Sequence, residues 1–135
     1  MNSMKNKIAV VVSDYYKDIT DGLLTGIKSN LNENFDVDFY RVVGAWEIIY
    51  KINSLSQDYD KFIAVGAIVK GKTDHYEYIS SAVTNGLINL TINKSIYISN
   101  CVLNVHNIQD AIDRSNNDTK NKGAESAKAI NNLFY

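Results

Sequence analysis

The chain predicts a three-layer α/β/α sandwich built on a central, mostly parallel four-stranded sheet. Short β-branched runs alternate with longer segments of helical periodicity, so the elements follow the order β-α-β-α-β-α-β-α-α. Two of the runs, KIAVVV at 7–12 and KFIAVGAIV at 61–69, are continuously apolar, as strands buried on both faces are. Strands joined by helical crossovers run parallel and carry helices on both faces of their sheet.

KIAVVV opens the sheet. Ile19, Leu23, Leu24, Ile27 and Leu31 then recur at helical spacing, with a cap region expected around Asp18. FDVDFYRVV, 35–43, alternates in its first half and reads as a strand. AWEIIYKINSLS, 45–56, returns to helical spacing, and KFIAVGAIV is the third strand. DHYEYISSAVTNGLINLTIN, 74–93, reads as a long helix with Tyr78, Ala82, Val83 and Leu87 on one side. SIYISNCVL, 95–103, is the fourth strand. Asn107 is placed to cap a helix through Ile108, Ala111, Ile112 and Ser115, with Asp110 three residues on. NNDTKNKG, 116–123, is a polar turn ending in glycine, and Ala124, Ala127, Ile130, Leu133 and Phe134 mark a last helix.

Composition narrows the function classes. Hydrophobic residues make up 45% and charged residues 21%, which is ordinary for a soluble globular protein. A formal charge of −1 implies neither a nucleic-acid nor an anionic-membrane partner. The one cysteine, Cys101, forms no internal disulfide and no cysteine metal cage, which fits a reducing cytosol. The apolar run after MNSMKN is broken by Ser13 and Asp14, too soon for a signal or membrane segment. There is no proline, no internal repeat and no low-complexity stretch, so a single domain over 1–135 is expected.

In parallel α/β sheets, ligands bind outside the carboxyl ends of the strands. Those ends read SDYY, VGAWE, VKGKTDH and NVHN, and they gather aromatics, a carboxylate, a Gly-Lys-Thr loop and both histidines. GAIVKGKT, 66–73, also satisfies the nucleotide-binding pattern G-x-x-x-x-G-K-[ST]. Its interior, Ala67 to Lys70, holds two β-branched residues that suit a continuing strand better than a phosphate nest. The simpler reading runs the strand through Val69, leaves KGKT as the turn and starts a helix near Asp74. A helix start after a glycine still attracts phosphate, with Thr73 as cap and Lys70 and Lys72 adding charge. His75, in the first turn of that helix, is placed to act as a base toward a bound phosphate ester. His106 has no comparable setting and reads as surface.

Several motifs together resemble the 6,7-dimethyl-8-ribityllumazine synthase family of riboflavin biosynthesis. GAWEI, 44–48, resembles its Gly-Ala-Phe-Glu-Ile signature. GAIVKGKTDHYEY, 66–78, resembles its strand-turn-helix with a Gly-x-Thr-x-His core. KIAVVVSDYYKDIT, VLNVHNIQDAIDRS and NKGAESA match its first strand and C-terminal helices, in order and with matching spacing. The resemblance implies a flavodoxin-like, oligomeric fold and a cofactor-free, metal-free transferase. That enzyme joins 5-amino-6-(D-ribitylamino)uracil to 3,4-dihydroxy-2-butanone 4-phosphate, with loss of phosphate and water.

By the same resemblance, Tyr15 matches the aromatic stacked on the pyrimidine. Ala45, Trp46 and Glu47 match the surroundings of the ring and the ribityl hydroxyls. Ala67, Ile68 and Val69 match the pocket wall, and Gly71, Lys72 and Thr73 match the phosphate loop. His75 matches the general acid/base. Arg114 matches a phosphate-binding arginine reaching in from the neighbouring subunit, and Lys122 a lysine near the same shared pocket. The family forms homopentamers, some built into icosahedral shells of sixty copies; the arm before Lys7 is short here. Asp14 stands where the family has a basic residue, and Val43, Ile49 and Tyr97 stand where it has proline. Lys72 replaces an acidic or small residue, Cys101 a glycine, and Asn100 a phenylalanine bordering the pyrimidine. Two alternatives stay open at this level: a non-catalytic or altered-specificity lumazine- or flavin-binding homologue, and a P-loop nucleotide hydrolase.

Overall fold

The computed structural model describes residues 6–135; the arm before Lys7, apart from Asn6, lies outside them. The strands are β1 (Lys7–Ser13), β2 (Asp36–Val42), β3 (Lys61–Val69) and β4 (Tyr97–Val105). The helices are α1 (Lys17–Asn30), α2 (Trp46–Leu55), α3 (His75–Lys94), α4 (Ile108–Asp113) and α5 (Lys122–Phe134). The expected element order is the observed one. The sheet runs β2-β1-β3-β4 and is parallel throughout.

Alternate residues of β1 feed two cores, because successive side chains of a strand point to opposite faces. Ile8, Val10 and Val12 pack with Ile19, Leu23 and Ile27 of α1 and Ile130 of α5. Ala9 and Val11 pack with Ile48 and Ile52 of α2 and Val83 and Leu87 of α3. Every one of these β1 side chains is fully buried, which is why the segment carries no polar alternation. From β1 the chain steps outward to β2, then crosses back past β1 to β3. The switch point therefore lies between β1 and β3, at their carboxyl ends.

Helix α5 packs closely against α1. A Cβ on Gly123 would collide with the Leu23 carbonyl oxygen, so this glycine sits inside the first turn of α5 and does not end the preceding turn. Asn121 ties the crossing together from a buried position. Its Nδ2 donates to the carbonyls of Gly22, Ser115 and Asn116 at 3.1, 3.2 and 2.9 Å, and its Oδ1 accepts from Ala124 N at 3.0 Å. Leucine at 121 would remove all four bonds and leave the Ser115 carbonyl and the Ala124 amide without this partner. Asn121→Leu is expected to cost about 2–4 kcal/mol of unfolding free energy. Chemical denaturation reads it directly, and an unmoved midpoint would contradict the hub role.

Several details differ from expectation. Strand β4 begins two residues later and runs two further, because Ser95 adopts a left-handed φ of 55° at the end of α3 and the ladder with β3 continues to Val69↔Val105. Asn104 is therefore a strand residue. On α3 the inward face is Tyr76, Ile79, Val83, Leu87 and Leu90, whereas Tyr78 and Ala82 are exposed. Helix α1 starts after Tyr16 with no side-chain cap, and Asp18 lies in its first turn. Helix α4 has the Asn107 cap, with Asn107 Oδ1 accepting from Asp110 N at 3.0 Å, but stops at Asp113, short of Ser115. No described helix is long and apolar enough to cross a membrane.

Candidate active site

A cavity of about 480 Å³ opens at the carboxyl ends of β1, β2 and β3, beside the switch point. That volume is within the range of small-molecule sites. Tyr15 and Tyr16, from the β1–α1 link, form one wall, and the start of α2 forms the next. Ala67, Ile68 and Val69, the end of β3, form the floor; Gly71, Thr73 and His75 close the far side.

Two large aromatic faces are presented at this mouth, with Tyr15 72% and Trp46 63% exposed. The Tyr15 ring stands edge-on to Tyr16, with centroids 4.9 Å apart. Exposed rings of this size at a cavity rim offer a stacking surface to a flat ligand. Glu47 lies in the first turn of α2, and its Oε1 accepts from Gly44 N at 3.0 Å. That bond, from a first-turn carboxylate back to an amide preceding the helix, fixes the carboxylate at the wall.

The Gly-Lys-Thr segment folds as the simpler reading expects. Strand β3 ends at Val69, Asp74 precedes the helix, and His75 is the first residue of α3. Thr73 Oγ1 accepts from His75 N at 3.4 Å. The first amides of a helix have no intrahelical acceptor and carry partial positive charge, so this end of the cavity suits an anion. Lys70 is held by its backbone, N–H to Val105 O at 2.9 Å, and its ammonium lies 3.4 Å from Glu77. Lys72 is exposed on the loop and does not line the cavity.

The same geometry argues against nucleotide hydrolysis. Ala67, Ile68 and Val69 pair with Leu103, Asn104 and Val105 in the parallel ladder, so this stretch is strand and cannot wrap phosphates as a P-loop does. A P-loop enzyme also needs a magnesium-binding carboxylate at the end of another strand, and Asp14, which follows β1, is instead bound by Arg41 at 2.6 Å. The pattern match is a coincidence of spacing over a strand and a turn.

Asn100, Arg114 and Lys122 are not brought to this cavity. They line a second one of about 280 Å³, formed by β4, the residue after α4 and the start of α5. Arg114 Nη1 donates to Asp110 O at 3.0 Å, and Lys122 Nζ lies 2.9 Å from Glu125. Lys122 N–H also bonds the Arg114 carbonyl at 2.9 Å, so the Asn121-braced turn presents both cations together. Asn100 Oδ1 accepts from Val102 N at 3.0 Å on the edge strand β4. The sequence reading misses Tyr76 and Ile79 in the first cavity and Glu125 and Ser126 in the second. Tyr76 and Ile79 follow His75 on the inward face of α3, one residue off the Tyr78–Ala82 side expected from the sequence.

Cys101 borders the second cavity but is buried, and desolvation pushes its thiol up to about 11 from 9.0. A group whose folded value is raised contributes stability that is intact below pH about 9 and is lost as pH climbs toward about 11. Native protein at pH 8 is accordingly expected to resist thiol-reactive dyes, with labelling appearing only on denaturation. Prompt stoichiometric labelling of the native state would contradict that burial.

Fold and cavities define a parallel α/β protein with a ligand site at the switch point of its sheet, furnished for a flat ring at one wall and an anion at another. The profile of the 6,7-dimethyl-8-ribityllumazine synthase family matches residues 5–134. The chain belongs to that family. Among its relatives, the 6,7-dimethyl-8-ribityllumazine synthases of Limosilactobacillus reuteri and Pediococcus pentosaceus are each 34% identical. Their alignments cover 96% of this chain, with 88% and 86% of the respective relative. That of Buchnera aphidicola subsp. Baizongia pistaciae is 38% identical over 91% of this chain and 82% of its own length.

Proposed function

We propose that the chain is a cytoplasmic transferase acting as one domain over 1–135, which condenses 5-amino-6-(D-ribitylamino)uracil with 3,4-dihydroxy-2-butanone 4-phosphate to give 6,7-dimethyl-8-ribityllumazine. One observation carries the assignment of the site: aromatic faces, a fixed carboxylate and an anion-attracting helix start bearing His75 meet in a single cavity. Tyr15 and Trp46 hold the pyrimidine, and Glu47 accepts from the ribityl hydroxyls. The Gly71–Thr73 turn receives the phosphate, with Lys72 adding charge outside the lining.

The substrates bring an amine and a ketone. The amine adds to the carbonyl and water leaves, giving an imine. His75 takes the proton from the carbon beside that imine, and phosphate departs from the next carbon. The resulting enol takes up a proton at its terminal carbon and becomes a methyl ketone; the ribitylamino nitrogen adds to that carbonyl and closes the ring with loss of a second water. Holding the partners in register lowers the barrier by several kcal/mol, up to about 7–11 in ideal cases. We further propose a homopentamer in which the Arg114–Lys122 edge of one subunit, with Asn100, faces the His75 cavity of the next. The division of site residues between two cavities of one chain supports it, because repetition around a ring joins unlike surfaces.

Mixing the two substrates with purified protein tests the activity. Protein-dependent growth of the lumazine absorbance is expected. Its absence, with both substrates bound, would leave a non-catalytic binder.

A further inference from the structure

Tyr15 sits on the link of Asp14, Tyr15 and Tyr16 between β1 and α1. The charged side chains on either side of it are both engaged. Arg41 Nη1, from β2, donates to Asp14 Oδ1 at 2.6 Å. Lys17 Nζ donates to Asp21 Oδ2 at 2.8 Å, and Arg41 Nη2 lies 3.6 Å from Asp21 Oδ1. One guanidinium thus spans a carboxylate before Tyr15 and a carboxylate after it. The backbone adds a bond from Asp14 N–H to Val42 O at 2.9 Å, which carries the β1–β2 ladder to the residue next to Tyr15.

We propose that Arg41 is a positioning residue: its fork across Asp14 and Asp21 sets the β1–α1 link so that the Tyr15 ring is held ready for the pyrimidine, which rests on the reading of Tyr15 as the stacking face. Arg41 lines neither cavity described above. The planar guanidinium suits this task, since its donors diverge in fixed directions toward the two carboxylates, whereas an ammonium is a compact charge on a flexible stem. Isolated exposed pairs contribute little, but here four charges of alternating sign link three elements, and the gain is a ring that need not be ordered when ligand arrives. The charges persist at neutral pH: the hydrogen bond from Lys17 holds the Asp21 carboxyl below its ordinary value, and the bond to Asp14 raises Arg41 further.

The test compares wild type, Arg41→Met, Arg41→Lys and Tyr15→Ala. It reads KM for each substrate, kcat, and ligand-free amide exchange over residues 14–17. Arg41→Met is expected to raise KM for ribitylaminouracil by about three- to tenfold, leave KM for the butanone phosphate and kcat within about twofold, and speed exchange in the link. Arg41→Lys recovers part of that loss. Unchanged exchange in Arg41→Met, or a KM change shared equally by both substrates, would overturn the proposal. An unchanged pyrimidine KM in Tyr15→Ala would instead remove the stacking role, and the inference with it. A raised one beside a wild-type-like Arg41→Met would remove the inference alone.

Discussion

His75→Ala turns over about 10²–10⁴-fold more slowly than wild type, while both substrates still bind. The residue opens α3, is exposed and lines the cavity beside Thr73. Its imidazole is the titratable ring nearest in sequence to the proposed phosphate turn, and the step proposed for it moves a proton as phosphate leaves. Truncation removes that base without disturbing the aromatic wall or the carboxylate of Glu47, which belong to other elements. The loss therefore falls on kcat, with KM for either substrate little changed. Turnover at the wild-type rate would take His75 out of the chemistry.

Arg114→Ala raises KM for the butanone phosphate by about ten- to a hundredfold, the worth of a charge-assisted hydrogen bond to phosphate. Its KM for the pyrimidine stays near that of wild type. Among the described residues the half-buried guanidinium is bonded only to the Asp110 carbonyl, with the carboxylate 3.9 Å away. Arg114→Lys recovers little of the loss, because an ammonium cannot donate two parallel bonds to phosphate. A rise confined to the pyrimidine would contradict the assignment.

The fold was largely legible. KFIAVGAIV marks β3 to the residue, since a strand buried on both faces is apolar along its whole length and ends where polar residues begin. At β4 the sequence misleads. Asn104 looks like loop, yet pairing with β3 extends the ladder past it, and that neighbour is remote in sequence. On α3, Tyr78, Ile88 and Ile92 are exposed apolar residues outside the inward face, so periodicity alone could not choose the buried side. The site was legible as residue types but not as geometry. Tyr15, Trp46, Glu47, Thr73 and His75 come from three different strand-to-helix junctions, and strand order brings them together. Arg114 and Lys122 depend on the Asn121 hub, whose bonds reach from residue 22 to residue 124 and leave no local pattern.

The proposed mouth between neighbouring subunits is tested most directly by co-expressing His75→Ala with Arg114→Ala and assaying the mixed assemblies. In a head-to-tail ring, about one interface in four then joins an intact His75 to an intact Arg114. Activity is expected to recover to about a quarter of wild type at butanone phosphate concentrations where each variant alone is nearly silent. Activity no higher than the average of the two separate variants would contradict a site built from two protomers.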